Sequence, residues 1–151
     1  MSTDVSQDFL DRAYTSFREA ESCSKRFDWP LCILRSAECV EFSVKAILRT
    51  VVGDYEREHD VSGDLINAYD RFPEWFKEKV PRISLMSRLF TLLSLRAKYG
   101  DELLQVSPKK IFEQPEAQVY LDVAKQVYFD CNRLFREIKV APPNPPADNT
   151  S

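Results

Sequence analysis

The chain has 151 residues, a length typical of a single domain, and 44% of them are hydrophobic, which is enough to bury a substantial core. Its formal net charge of -3 leaves no surplus of Lys and Arg, so general affinity for nucleic acid is not expected. Residues 1–8 lack a basic segment followed by an apolar one, and no apolar run is long enough to span a membrane, so we expect a cytoplasmic protein without a membrane segment.

The first part of the chain predicts two antiparallel helices. Apolar residues at helical spacing predict a first helix over residues 6–26, with Ser6 as its N-cap. Its apolar face comprises Phe9, Ala13, Phe17, Ala20 and Phe27. Asp28 as N-cap and Pro30 in the first turn begin a second helix that is expected to end at Gly53. Because the link between the helices is short, antiparallel packing is the simplest geometry.

The second helix carries a charged pair within its most apolar stretch. The seam of this helix is formed by Ile33, Ala37, Val40, Val44, Ile47 and Val51. Glu41 projects beside the seam and should be partly buried, so we expect it to pair with Lys45 one turn further on. The pair has two interpretations, an ion pair that holds helices in register or the mark of a cleft between helices.

The middle of the chain predicts a surface loop, a broken helix and a third main helix. Residues 54–60 are polar and form the loop, and helix resumes near Val61 until Pro73 interrupts it. The third main helix is predicted over residues 82–98, with Gly100 as its end. One apolar stripe contains Ile83, Met86, Phe90, Leu93 and Ala97, and the next contains Leu85, Leu89, Leu92 and Tyr99. Such a wide apolar face requires two neighbours.

The third helix has basic residues but no acidic ones. Residues 81–100 contain Arg82, Arg88, Arg96 and Lys98. This face is either solvated and balanced by acidic residues elsewhere, or a site for a phosphate or an acidic partner. Arg96 and Tyr99 could hold the phosphate and base of a nucleotide by ion pairing and stacking, although helix capping explains the same residues.

The last part predicts a connection, a long helix and a tail. Residues 101–115 form a mixed polar connection, and the final helix covers residues 116–139. Its apolar residues are Ala117, Tyr120, Ala124, Val127, Cys131, Leu134 and Ile138, with Leu121, Tyr128 and Phe135 on the adjoining stripe. That is more apolar face than one groove covers. Residues 141–151 are Pro-rich and expected to be disordered, which leaves a bundle domain over residues 1–140.

Residues with catalytic or metal-binding chemistry are few. His59, the one histidine, lies in the polar loop, where it either caps the next helix or has a chemical role. The cysteines Cys23, Cys32, Cys39 and Cys131 lack metal spacing and are expected to be reduced packing residues. No Gly-rich phosphate loop, Gly-x-Ser-x-Gly or His-Glu-x-x-His motif is present. We therefore assign no catalytic residue, no metal site and no cofactor.

These elements predict an all-α fold, an up-and-down antiparallel bundle of four main helices with a short broken helix between the second and third. The order of the motifs resembles the HEPN domain. The resemblance is carried by Ala37-Glu38-Cys39-Val40-Glu41, Lys45-Ala46, His59-Asp60-Val61, Leu65, Arg96-Ala97-Lys98-Tyr99-Gly100 and the final helix.

The resemblance implies a dimerising helical bundle of prokaryotes, often found beside a small nucleotidyltransferase and associated with nucleotide or RNA chemistry. Many family members are ribonucleases that depend on an Arg-x4-6-His motif. In this chain Val52, Gly53 and Asp54 occupy the positions that would have to hold the arginine before His59. The ribonuclease activity is therefore not implied.

We expect from this a non-catalytic homodimer that binds a nucleotide or interacts with a partner protein. The candidate ligand-binding residues are Glu41, Lys45, Arg96, Tyr99 and His59. One alternative is a ribonuclease or nucleotide-modifying enzyme that uses His59 with Arg57 or with an arginine of a partner. Another is a helical adaptor without a small ligand, whose partner is a protein such as a nucleotidyltransferase.

Overall fold

The computed structural model describes residues 3–53, 61–102 and 105–140, and its long elements are all helices. The helices are α1 (Thr3–Lys25), α2 (Trp29–Val52), α3 (Ser62–Asn67), α4 (Glu74–Lys77), α5 (Val80–Tyr99), α6 (Pro108–Ile111) and α7 (Gln114–Val140), with a 3₁₀ turn at Tyr69–Arg71. The four long helices α1, α2, α5 and α7 pack antiparallel, so the predicted fold class is confirmed. None of the helices in the described ranges is long and apolar enough to cross a membrane.

Helix α2 is at the centre of the bundle. It packs against α1, α5 and α7, and α7 also packs against α1. The predicted seam of α2 explains this position, because Ile33, Val40, Val44 and Ile47 are almost completely buried. Because the apolar residues extend along the whole of α2, several helices can pack against it. Helix α2 therefore positions the other long helices.

Predicted capping residues define both ends of α2. The carboxylate of Asp28 accepts a hydrogen bond from the backbone N–H of Leu31 at 3.3 Å, and Pro30 lies in the first turn. At the other end, Gly53 has φ 97° and donates its N–H to the carbonyl of Arg49 at 3.1 Å. Side chains other than glycine rarely adopt this backbone conformation, so the helix ends where the sequence predicts.

The prediction for the start of α1 was wrong. Ser6 is not an N-cap, because the helix begins at Thr3 and Ser6 is buried inside it. The hydroxyl of Ser6 accepts a hydrogen bond from Thr50 Oγ1 at 2.9 Å, which joins α1 to α2. A local sequence pattern cannot reveal a partner on another helix. Here the Ser6 hydroxyl bonds to that partner instead of capping α1.

The end of α1 also differs from the prediction. The helix ends at Lys25, and Phe27 lies outside its apolar face with φ 61° and 74% of the side chain exposed. Backbone hydrogen bonds from Phe27 to Ser24 and from Asp28 to Cys23 close the helix in the arrangement that usually has glycine in this conformation. The Phe27 ring packs edge-on against Trp29, with 5.7 Å between centroids.

Helix α5 turns only one of its two predicted apolar stripes towards the core. Ile83, Phe90 and Ala97 are buried, whereas Leu85, Leu92 and Tyr99 are exposed. The connection that follows is more ordered than a simple loop, since Asp101 and Val106 form a backbone bridge and α6 lies within it. The predicted loop of residues 54–60 and the predicted tail of residues 141–151 lie outside the described residues.

Candidate functional site

Glu41 and Lys45 form the predicted ion pair. Lys45 Nζ lies 3.2 Å from Glu41 Oε1, and the side chains are 15% and 34% exposed, respectively. The pair is therefore at the margin of the core, as the position of Glu41 beside the α2 seam predicts. Glu41 also lines a cleft between α2 and α5.

The cleft between α2 and α5 has a volume of about 360 Å³ and a mixed lining. Helix α2 contributes Leu34, Ala37, Glu38, Val40 and Glu41, and α5 contributes Ser87, Phe90, Thr91, Ser94 and Lys98. The polar residues of α5 are spaced four, three and four apart, which places them on one side of that helix. This polar stripe was not predicted, although its spacing is visible in the sequence beside the two apolar stripes.

The hydroxyl groups of the cleft are oriented by their own helix. Thr91 Oγ1 donates to the carbonyl of Ser87 at 3.0 Å, and Ser94 Oγ donates to the carbonyl of Thr91 at 3.0 Å. Because the hydroxyl protons are used in these bonds, the two oxygens present lone pairs to the cleft. The α5 wall therefore accepts hydrogen bonds along most of its length, and Lys98 adds a cation at its end.

Glu38 is held by a network that reaches α1. It accepts hydrogen bonds from Arg35 Nη1 at 2.8 Å and from Ser16 Oγ at 3.3 Å, and Arg35 Nε also lies 3.0 Å from Glu19. Burial lowers the pKa of Arg35, but the hydrogen bond and ion pairs with these carboxylates outweigh burial and raise the pKa above its ordinary value. The Glu38 carboxylate is thus fixed at one wall of the cleft.

The other predicted site residues are not in this cleft. Arg96 pairs with Asp101 across 3.8 Å, and Tyr99 is largely exposed; neither residue lines the cleft, whereas Lys98 does. The reason for Arg96 is the helical periodicity. Arg96 and Lys98 are two residues apart, so their side chains are about 200° apart around the axis of α5. His59 lies outside the described residues.

A second surface lies between α5 and α7, and it was missed by sequence analysis. This groove has a volume of about 450 Å³. It is lined by Lys79, Arg82, Ile83 and Met86 from the α5 side and by Val119, Asp122, Val123, Gln126, Val127 and Asp130 from α7. Its floor is apolar, its α5 wall carries basic residues and its α7 wall carries acidic ones.

The beginning of α5 is tied to α7 at one end of the groove. Lys79 Nζ lies 3.1 Å from Asp130 Oδ1, and Gln126 Nε2 donates to the same oxygen at 3.1 Å. Asp130 is buried, so its charge requires these partners. The Lys79–Asp130 pair therefore joins the two walls of the α5/α7 groove, and the apolar part of its lining includes the exposed residue Val119.

The cysteines are packing residues, as predicted. All four thiols are free and buried, and burial raises the pKa of Cys32 to about 11 and that of Cys39 to about 12. A thiol that remains protonated at neutral pH is a poor nucleophile and a poor metal ligand. Within residues 3–53, 61–102 and 105–140, no group of three or more His, Cys, Asp or Glu side chains is placed to hold a metal ion.

The fold is an all-α bundle with concave surfaces on both sides of α5. The HEPN domain family model matches residues 6–134, which is most of the chain. The chain therefore belongs to the HEPN domain family, as its motif order suggested. No curated protein and no solved structure is similar enough to count as a match.

Proposed function

We propose that the chain is a non-catalytic HEPN-domain interaction protein that forms a homodimer and binds a small ligand in the α2/α5 cleft. The observation that carries the dimer is the α5/α7 groove. A two-fold interface requires a surface that is complementary to itself. The groove meets this condition, because a two-fold axis parallel to the groove would place the acidic α7 wall of a second copy against the basic α5 wall.

The dimer is tested by the mass in solution. At micromolar concentration, sedimentation should give twice the 17.6 kDa of one chain. Val119→Glu places a charge in the apolar part of the groove lining and should give a monomer. Phe129→Glu is the matched control, because Phe129 is similarly exposed on α7, 50% against 57%, but does not line the groove. A monomeric wild-type protein would refute the homodimer.

A nucleotide is the ligand that we propose for the α2/α5 cleft. The amino groups of a base and the hydroxyls of a ribose are donors, which suit Glu38, Glu41 and the α5 hydroxyl oxygens. The phosphate would bind at Lys98. Lys45 would act through Glu41, whose carboxylate it holds. Arg96 and Tyr99 lie outside the lining, so this arrangement gives them at most a role at the rim.

Calorimetric titration with nucleoside monophosphates tests the ligand. Binding should weaken in Lys98→Ala and in Glu41→Gln, and Arg96→Ala should leave it nearly unchanged. If Arg96→Ala has the larger effect, the phosphate binds at the end of α5 instead. If no nucleotide binds, the ligand part of the proposal fails while the dimer is unaffected.

The ribonuclease alternative depends on His59, which lies outside the described residues. A protein partner, such as the nucleotidyltransferase that the family resemblance implies, is compatible with the proposal because α5 has a further surface that no part of the described chain covers.

A further inference from the structure

The two carboxylates of the α2/α5 cleft differ in how much of their hydrogen-bonding capacity is already used. Both oxygens of Glu38 accept hydrogen bonds, one from Arg35 Nη1 and one from Ser16 Oγ. Among the described residues, the hydrogen bond to Glu41 comes from Lys45 Nζ and goes to Oε1, and 34% of the Glu41 side chain is exposed. Glu41 therefore has the larger unused capacity to accept hydrogen bonds from a ligand.

The chemistry of a carboxylate restricts the base that it can bind. An ionised carboxylate only accepts hydrogen bonds, and its two oxygens together suit a ligand with two adjacent, parallel N–H donors. Guanine has this pattern, because its N1–H and its N2 amino group are neighbours on the Watson–Crick edge. In adenine and cytosine the amino group on that edge is next to a ring nitrogen that accepts, and in uracil one N–H lies between two carbonyl oxygens. Each of these three bases would place a lone pair against one oxygen of the carboxylate.

We propose that the α2/α5 cleft is selective for guanine nucleotides and that Glu41 recognises the base. The inference rests on the nucleotide site proposed above and names the nucleotide that the site binds. Glu41 accepts the N1–H and the N2 amino group of guanine, while Lys45 holds the carboxylate in place through Oε1.

The dimensions of the cleft agree with one nucleotide between Glu41 and Lys98. Because α2 and α5 are antiparallel, Lys98 at the end of α5 lies towards the beginning of α2, where Leu34 lines the cleft. Leu34 and Glu41 are seven residues apart, which is about 10 Å along α2. A guanine at Glu41 therefore directs its ribose past Glu38 and its phosphate towards Lys98. The volume of about 360 Å³ is near the lower end of the range for ligand sites, so it suits a mononucleotide better than an oligonucleotide.

Calorimetric titration of the wild-type protein with GMP, AMP, CMP and UMP tests the selectivity. GMP should bind at least about tenfold more tightly than the other three, because only guanine donates two hydrogen bonds to the charged carboxylate. Inosine monophosphate keeps N1–H but lacks the N2 amino group, so it should bind about tenfold more weakly than GMP.

Two outcomes of this titration separate the inference from the proposed function. If the nucleotides bind with equal affinity, or if GMP and inosine monophosphate do, the selectivity for guanine is refuted while the nucleotide site stands. If none of them binds, the nucleotide site itself is refuted, and the inference with it.

Glu41→Gln tests the residue that recognises the base. Glutamine has nearly the same shape as glutamate but presents one acceptor and one donor, so it no longer matches the two donors of guanine. The ratio of GMP affinity to AMP affinity should fall at least about tenfold, towards one. Glu38→Gln is the matched comparison in the same cleft, and it should lower both affinities by similar factors and keep the ratio.

Circular dichroism checks that both variants are folded, and the wild-type comparison of GMP with inosine monophosphate does not depend on either variant. An unchanged ratio in Glu41→Gln would overturn the role of Glu41. Loss of the preference in Glu38→Gln alone would overturn it in favour of Glu38.

Discussion

Replacement of Gly100 by alanine should be the most damaging of the three glycine-to-alanine changes. Gly100 ends α5 with φ 72° and ψ -155°, a conformation that is essentially restricted to glycine and costs other residues about 1–3 kcal/mol. A Cβ atom at this position would also overlap the carbonyl oxygen of Val106. That oxygen is part of the bridge in which Asp101 and Val106 exchange backbone hydrogen bonds of 2.9 and 3.0 Å.

Changes at the other two glycines separate the contribution of backbone strain from that of the overlap with Val106. Gly53 has φ 97° and no atom within 4 Å of an added Cβ, so Gly53→Ala has only the backbone strain of about 2 kcal/mol. Gly63 lies in α3 with open space around it, so Gly63→Ala should stabilise the protein by about 0.5 kcal/mol. Gly100→Ala adds the loss of two bridge hydrogen bonds to the strain and should cost about 4 kcal/mol.

Thermal unfolding followed by circular dichroism measures these differences. At about 3 °C per kcal/mol for a chain of this size, Tm should fall by about 12 °C in Gly100→Ala and about 6 °C in Gly53→Ala, and rise by about 1–2 °C in Gly63→Ala. If Gly100→Ala and Gly53→Ala lose the same amount, the overlap with Val106 is not present in solution and the bridge after α5 is not a fixed element.

Two further changes test the caps and the buried thiols. Asp28→Ala removes the acceptor for Leu31 N–H and should lower the free energy of unfolding by about 1 kcal/mol in urea titration. Asp28→Asn keeps an acceptor and should lose much less, so equal losses would show that the cap is not responsible. Burial raises the folded-state pKa of Cys39 from 9.0 to about 12, so its neutral thiol contributes stability that is fully present below about pH 8.5 and is lost as pH rises towards 12. Unfolding free energies measured between about pH 9 and 11 should therefore fall less steeply in Cys39→Ala than in the wild type, and parallel curves would contradict this.

The predictions from the sequence were correct for helix ends that are determined by local interactions. The residues Asp28, Pro30, Gly53 and Gly100 act through their own backbone and nearest neighbours, and all four mark helix ends as predicted. The prediction for Ser6 was wrong because its partner, Thr50, is on another helix. The prediction for Phe27 was wrong because an apolar side chain does not indicate that the chain reverses there.

The site was only partly predictable for a different reason. The pairing of Glu41 with Lys45 follows from spacing within one helix. Predicting Lys98 instead of Arg96 and Tyr99 would have required knowing which side of α5 faces α2. The sequence of α5 has two apolar stripes, and either could face the core. Only packing decides between them, so the polar stripe that lines the cleft becomes evident only when both helices are in place.

Helix α5 is a wall of two cavities at once. The α2/α5 cleft lies on one side and the α5/α7 groove on the other, while the helix is anchored at its beginning by Lys79 and Asp130 and at its end by the turn at Gly100. If a molecule that changes the separation of α5 from α2 also changes the separation of α5 from α7, the two cavities are coupled. Any such coupling must be reciprocal, so an occupant of the groove would alter affinity in the cleft by the same factor that an occupant of the cleft alters affinity in the groove.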